Sequence, residues 1–312
     1  MSTLLYTHPS SLEHDTGPGH PESPARMRAI LAMLEREERK GALIGLERRE
    51  PPRATREQLE RVHSPRFVEA ILSAVPKQGH LRVDPDTVMS PGSGEAALRA
   101  AGAACAAVDA VVGGEGRNAF CALRPPGHHA EPERAMGFCL FNSVAAGARQ
   151  ALAVHGLERV SIFDFDVHHG NGTQEVFEDD PRVQYLSTHQ WPLYPGTGAR
   201  AETGVGNVVN RPLPAGTGSK EWQSVIEADI LSAIDAFAPQ LIMVSAGFDA
   251  HKADPLAMLE LVEDDYGWVT RELGALADRH AKGRLVSVLE GGYDLTALAN
   301  SCLAHLDGLL SP

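Results

Sequence analysis

Residues 160–172 read VSIFDFDVHHGNG. An apolar run that ends in alternating Asp164, Asp166 and His168, then a Gly-Asn-Gly turn, has the form of a buried strand delivering polar groups to its carboxyl end. Period two puts these three side chains on one side, and Phe163, Phe165 and Val167 on the other, if the strand stays extended. Carboxylate, carboxylate and imidazole form a donor set of intermediate hardness, suited to zinc, iron, cobalt or manganese. The blander alternative is a helix-capping aspartate beside a hydrogen-bonded histidine. It would leave three polar groups at the end of a buried strand with little to offset their desolvation.

Outward from this segment the pattern repeats. Apolar runs at 118–123 (NAFCAL), 183–187 (VQYLS), 241–246 (LIMVSA) and 284–289 (RLVSVL) read as further buried strands. Apolar residues at 3.6 spacing predict helices over 25–39, 56–74, 94–112, 142–155, 220–237 and 262–281. Such alternation predicts an α/β fold with a central, mostly parallel sheet and helices on both faces. No composition shift, repeat or linker divides the 312 residues, so a single domain over 1–312 is expected. Each of the five strands runs into a loop of unusual chemistry: RPPGHHAE (124–131), DFDVHHGNG (164–172), STHQWPLYPGTG (187–198), GFDAHKADP (247–255) and EGGYDL (290–295). Ligands of open α/β sheets bind beyond the carboxyl ends of the strands, so these loops are expected to share one rim.

Composition narrows the classes. With 43% apolar and 22% charged residues, the chain is neither disordered nor collagen-like. Lys and Arg number 28 against 41 Asp and Glu, a formal charge of −13, which argues against direct binding to a nucleic-acid backbone. No run of about 18 apolar residues is evident, so no membrane span is expected. The first residues, MSTLLYTHPSSLEHD, lack the basic start and apolar stretch of a secretory signal. Cys105, Cys121, Cys139 and Cys302 form no C-x-x-C pair, which fits reduced thiols and a cytoplasmic location. There is no Walker A sequence, no G-x-G-x-x-G fingerprint and no G-x-S-x-G elbow; Gly113-Gly114-Glu115-Gly116 reads as a turn. Nothing sets an oligomeric state, and a homo-oligomer stays open.

Other residues add to the chemistry. Asp249 follows LIMVSAGF and offers a third ligand beside Asp166 and His168, although alone an aspartate there reads as a helix cap. Three protein ligands leave a coordination position open, the mark of a catalytic site. His128 and His129 follow the stiff Arg124-Pro125-Pro126-Gly127 loop and are suited to moving protons, with Asp164 and Asn171 as candidate orienting partners. Tyr293 follows two glycines that permit a tight turn, aiming a phenol into a cleft as an oxyanion donor. A tyrosine merely packed in that turn is the competing reading. Glu263-Asp264-Asp265 reads as a solvated helix start.

Taken in order, RPPGHH (124–129), GFCLFN (137–142), DFDVHHGNGT (164–173), YPGTG (194–198), SAGFDAH (245–251) followed by Asp254-Pro255, and LEGGY (289–293) resemble the zinc-dependent histone deacetylases. The match is nearer to their class II-like branch, with its bacterial deacetylase-like amidohydrolases and acetylpolyamine amidohydrolases. The resemblance runs from His20 to Tyr293. It implies the arginase-like α/β fold, one zinc held by Asp166, His168 and Asp249, and removal of acyl groups from lysine side chains of proteins or peptides. It implies that His128 and His129 are a tandem pair backed by Asp164 and Asn171, with His129 as general base, and that Tyr293 stabilises the oxyanion. Asparagine at 171 is the class II-like pattern. Gly137, Phe138, Tyr194, Leu256 and Gly292 would line a substrate tunnel, with His20 and Asp86 at its rim; tyrosine at 194 departs from the family's common phenylalanine. A structural potassium would sit near Asp164, Asp166, His168, Ser187 and Thr188, and a second near Phe177, Asp180, Val183 and Asn207.

Three other readings compete. One is a deacetylase of acetylpolyamines or other small acyl-amines. Leu256 stands where polyamine-selective relatives tend to carry an acidic residue, which favours acyl-lysine. An arginase-type ureohydrolase needs a two-metal cluster with more aspartates. A non-catalytic acyl-amine-binding protein would have no use for the full set of ligands, histidines and tyrosine.

Overall fold

The structure, a computed structural model, describes residues 2–311. In chain order its strands are β1 (Thr3–Tyr6), β2 (Leu46–Arg49), β3 (Leu81–Arg82), β4 (Val88–Met89), β5 (Asn118–Cys121), β6 (Val160–Asp164), β7 (Val183–Gln190), β8 (Val208–Leu213), β9 (Leu241–Ala246) and β10 (Leu285–Leu289). The helices are α1 (Ser10–Glu13), α2 (Pro24–Arg39), α3 (Arg56–Glu60), α4 (Pro65–Ala74), α5 (Ser93–Gly113), α6 (Ser143–Ala153), α7 (Asn171–Phe177), α8 (Ser219–Val225), α9 (Ser232–Phe237), α10 (Glu263–His280) and α11 (Leu295–Leu310).

Eight strands form one sheet in the order β2-β1-β5-β10-β9-β6-β7-β8, and every neighbouring pair is parallel. The central strands are buried on both faces, and their side chains alternate between two cores. Ala119, Ile162, Tyr185 and Met243 pack with α5 and α6 on one face; Phe120, Phe163, Leu186 and Val244 pack with α2, α10 and α11 on the other. Each parallel connection needs a crossover, and the crossover helices cover both faces. The strands β3 and β4 form a small antiparallel hairpin whose turn carries Asp84 and Asp86.

Several expectations change in detail. The helix read over 56–74 breaks at Ser64-Pro65, where Ser64 Oγ accepts the Phe67 N–H (3.2 Å) and starts α4 anew. The helix over 220–237 contains a π-helical turn at Ile226–Leu231 between α8 and α9. Asp265 is buried rather than solvated, accepting from Ser219 Oγ (2.6 Å) and Gln223 Nε2 (2.7 Å). By length and composition α5 is apolar enough to cross a membrane, with a mean hydropathy of 1.5, contrary to the sequence expectation. It is instead a core helix, most of its residues buried against the sheet and α6.

Candidate active site

The carboxyl ends of β5, β6, β9 and β10 lie side by side, so the loops after them meet at one edge of the sheet. The strand geometry of the 160–168 segment holds only to Asp164, where β6 ends; the chain then bends. Asp164 turns its carboxylate toward His128, while Asp166 and His168 turn toward Asp249. Ligand atoms of Asp166, His168 and Asp249 all lie within 4.8 Å of one another. His168 Nδ1 is 3.1 Å from Asp166 Oδ1 and 3.2 Å from Asp249 Oδ2. Backbone N–H groups hold the carboxylates in place: Gly291 donates to Asp166 Oδ2 (2.8 Å) and Val167 to Asp249 Oδ1 (2.8 Å). A Cβ at Gly247 would fall 2.0 Å from Asp166 Oδ2, and one at Gly291 would fall 2.1 Å from Asp249 Oδ2, so both glycines clear room for this cluster.

The donor set fits a divalent ion. Two buried carboxylates face each other, both paired to His168 and, among the described residues, neither to a Lys or Arg. Burial, followed by the facing Asp166 charge, pushes Asp249 up to about 7. Burial works against a proton on His168, but Asp166 and Asp249 outweigh it and raise the imidazole to about 10, so that proton offsets the carboxylates; a divalent ion would replace it and free the ring as a ligand.

The tandem histidines sit beside the cluster with ring centroids 4.0 Å apart. His128 Nδ1 pairs with Asp164 Oδ2 (2.9 Å), which also accepts from Tyr185 Oη (3.1 Å). His129 Nδ1 is 2.8 Å from Asn171 Oδ1, and the Asn171 amide nitrogen donates to Glu131 Oε1 (2.6 Å). The two rings therefore differ in charge preference. Burial works against protonation of His128, but Asp164 and Asp166 outweigh it and hold its pKa well above the ordinary value. Burial, then the charges of His128 and His168, hold His129 well below it.

Above these groups opens a cavity of about 260 Å³. Its inner end presents His129, His168 and Tyr293; its walls are Gly137, Phe138, Leu193, Tyr194 and Leu256, with Asp86 at the mouth. Phe138 stands at φ +69°, a conformation rare for a bulky residue, with its N–H held by Thr87 Oγ1 (3.1 Å). Two residues expected at the tunnel are set back from it. Gly292 is buried and turns its carbonyl to Arg26, and His20 braces Phe138 edge-on (centroids 4.8 Å) while its ring nitrogens meet the Glu22 and Asp86 carbonyls. The carbonyls of Phe177, Asp180 and Val183 converge on Asn207 Nδ2 at 2.7, 3.1 and 2.7 Å. In this structure the Asn207 amide nitrogen lies at the point where the three oxygens meet.

Sequence reasoning missed Leu193, an apolar residue on an exposed loop, and the buried groups behind the site. Glu290 Oε2 accepts the N–H groups of Gly127 (2.6 Å) and His128 (3.1 Å), clamping the histidine loop. Arg26 donates to the carbonyls of Glu290 (2.5 Å) and Gly292 (2.6 Å), and Glu22 bridges Arg26 and Arg124. The only signal for Glu290 was its place in LEGGY.

The family described as histone deacetylase domain matches residues 20–309. A probable deacetylase of Archaeoglobus fulgidus is 42% identical over 302 residues, 95% of this chain and 82% of its own length. A histone deacetylase-like amidohydrolase of Pseudomonas aeruginosa is 41% identical over 280 residues, 88% of this chain and 73% of its own length. Among solved structures, the crystal structure of the HDA15 HD domain is similar with a TM-score of 0.91 at 35% identity, covering 99% of this chain and 88% of that one.

Proposed function

Since the chain belongs to the histone deacetylase family and is a hydrolase of amide bonds, we propose that it is a zinc-dependent enzyme removing acetyl or other acyl groups from lysine side chains of proteins or peptides. The observation that carries this reading is the meeting of the Asp166-His168-Asp249 cluster, His129 and Tyr293 at one largely apolar cavity. Its lining by Phe138, Leu193, Tyr194 and Leu256 suits an aliphatic chain that ends in an amide.

Asp166, His168 and Asp249 would hold the zinc. A divalent ion bound there supplies polarisation of the amide carbonyl and activation of a water. The rest of the chemistry belongs to the side chains. Asn171 is fixed in orientation by Glu131, so its oxygen accepts from His129 Nδ1–H. That leaves the lone pair of Nε2 free, and His129 takes the proton of the attacking water and later returns it to the leaving amine. His128, kept protonated by Asp164, adds positive charge beside the reacting centre. Burial, then the Asp249 charge, holds the Tyr293 phenol well above its ordinary pKa. It therefore stays protonated and donates to the carbonyl oxygen as negative charge develops there. Phe138 and Tyr194 guide the chain, and Asp86 offers an acceptor at the mouth.

One structural potassium is part of this reading. It would sit beside Asp164, Asp166, His168, Ser187 and Thr188, mostly through backbone oxygens. A small cationic acyl-amine is the second reading, favoured by the Asp86 carboxylate at the mouth; neutral Leu256 on the wall favours acyl-lysine.

The test uses purified protein stripped by a chelator and reloaded with zinc. Turnover of an acetyl-lysine peptide should vanish on stripping and return fully at one equivalent of zinc. kcat/KM for the peptide should exceed that for acetylspermidine by about tenfold or more. A reversed preference would select the small-amine reading, and a requirement for two ions per chain would overturn the mononuclear site.

A further inference from the structure

Tyr293 follows Gly291 and Gly292, so no side chain on its amino-terminal side can pack and fix the phenol. Gly292 adds a φ of +121°, a turn few other residues accept. The ring itself lies under the Arg26 guanidinium (5.0 Å to the centroid) and edge-on to Phe138 (centroids 5.8 Å), while backbone hydrogen bonds set the position from which it projects. Gly291 N–H goes to Asp166 Oδ2 (2.8 Å), Arg26 Nε donates to the Gly292 carbonyl (2.6 Å), and Tyr293 N–H donates to Asp254 Oδ2 (2.7 Å).

Asp254 is 8% exposed and stands on the loop after Asp249, with no Lys or Arg paired to it among the described residues. Its second oxygen, Oδ1, accepts the Leu256 N–H (3.0 Å), closing a turn over Pro255 that puts Leu256 on the cavity wall. One carboxylate thus holds the backbones of the phenol and of a wall residue. A carboxylate suits this task because it offers two acceptors and no donor; an amide would turn an NH2 toward one of the two N–H groups.

We propose that Asp254 is a positioning residue for the amide hydrolysis: it ties the Tyr293 backbone to the Leu256 turn and so sets the phenol where the carbonyl oxygen of the substrate will lie. The inference rests on the role given to Tyr293 above.

A double-mutant cycle on zinc-loaded protein tests it, with kcat and KM measured on an acetyl-lysine peptide and zinc content measured for each variant. Y293F should lower kcat about 10²–10³-fold. D254N should lower kcat about 10–10²-fold, as a misplacement of about 1 Å can, with KM changed less than about threefold and zinc retained. In the Y293F background D254N should cost less than about threefold more, because the group it positions is already gone. Multiplicative losses, or a loss confined to KM or to zinc content, overturn the role of Asp254 while leaving that of Tyr293 intact. Equal turnover by Y293F and the wild type overturns both. Hydrogen exchange of the Tyr293 amide in the wild-type protein gives a check that needs no variant. Protection of about 10²-fold or more over the unstructured rate is expected, and exchange at the unstructured rate would overturn the tie.

Discussion

Asn171 sets the chemistry of His129 by carrying no charge. Its amide oxygen accepts the Nδ1 proton (2.8 Å) but does not favour a second proton on the ring as Asp164 does for His128. The pair is thereby split into a protonated member and a neutral one, and only the neutral ring can act as base. Asn171→Asp should remove the split. A carboxylate at 171 stabilises the imidazolium, so the pKa of His129 rises and more of the enzyme is inactive at low pH. The acid limb of kcat/KM against pH should move up by about one unit in the zinc-loaded variant. A limb that stays in place would show that His129 is not the base. At this scale the meeting of Asp166, His168 and Asp249 beside the two histidines was legible because each stands where an apolar strand ends, a place where polar residues need a reason. Asp254, Glu290 and Arg26 were not legible in the same way. They act through backbone groups far away in the chain, and such contacts leave no spacing in the sequence.

Among the elements, the buried strands declared themselves and the edges did not. The strands at the two ends of the sheet are β2 and β8, and both escaped the periodicity. Strand β2 is LERR, with exposed charges that suit an edge and resemble a loop; β8 carries Pro212, which a central strand does not tolerate. Strand β1 is only four residues long, and α11 is apolar around most of its surface, so neither shows a clear period. Within helix α5, two glycines make the tertiary context measurable. A Cβ on Gly102 would meet Pro52 O at 2.1 Å and Ala54 N at 2.6 Å, whereas nothing lies within 4 Å of one on Gly113. Helix propensity favours alanine at both by roughly 0.5–1 kcal/mol. Gly113→Ala should therefore raise the thermal midpoint slightly. Gly102→Ala should lower it, because displacing the 52–54 backbone costs about 1–3 kcal/mol and outweighs the propensity gain. Thermal unfolding of the two variants side by side decides the point, and a stabilised Gly102→Ala would show that α5 can move away from that loop.

For the molecule as a whole, alternating strands and helices were enough to read a parallel sheet and the edge at which its loops meet. They could not show how many histidines the two cores would hold neutral. His63, His189 and His305 are all buried, and burial pushes them down to about 4, 4 and 3. In the unfolded chain each returns to about 6.5. A depressed folded pKa means that the unfolded state binds protons first as the pH falls. The stability these residues contribute is therefore complete above about pH 6.5, and it is lost as the pH drops from there through their folded values. Each costs up to about 1.4 kcal/mol per pH unit in that window. His129 and His169 are held down in the same way, whereas Asp249 and Glu290, raised by burial to about 7, take up protons in the folded state over the same range and offset part of the loss, so the contribution of one histidine is read from a variant. His305 offers the cleanest check, because it is packed in the core edge-on against Phe120, Phe165 and Phe248 and, among the described residues, hydrogen-bonds only to Ser287 Oγ (2.8 Å) and Thr270 Oγ1 (2.6 Å). His305→Gln keeps a polar group at that position but cannot titrate. Its midpoint should be lower than that of the wild type at pH 7, yet the gap should narrow as the pH falls below 6, by up to about 1.4 kcal/mol of stability per unit. Comparing the two proteins at each pH cancels whatever acid does to the metal ligands, which both share. Parallel curves would mean that His305 is already protonated in the folded core or stays neutral in the unfolded chain, and that other groups set the acid limit.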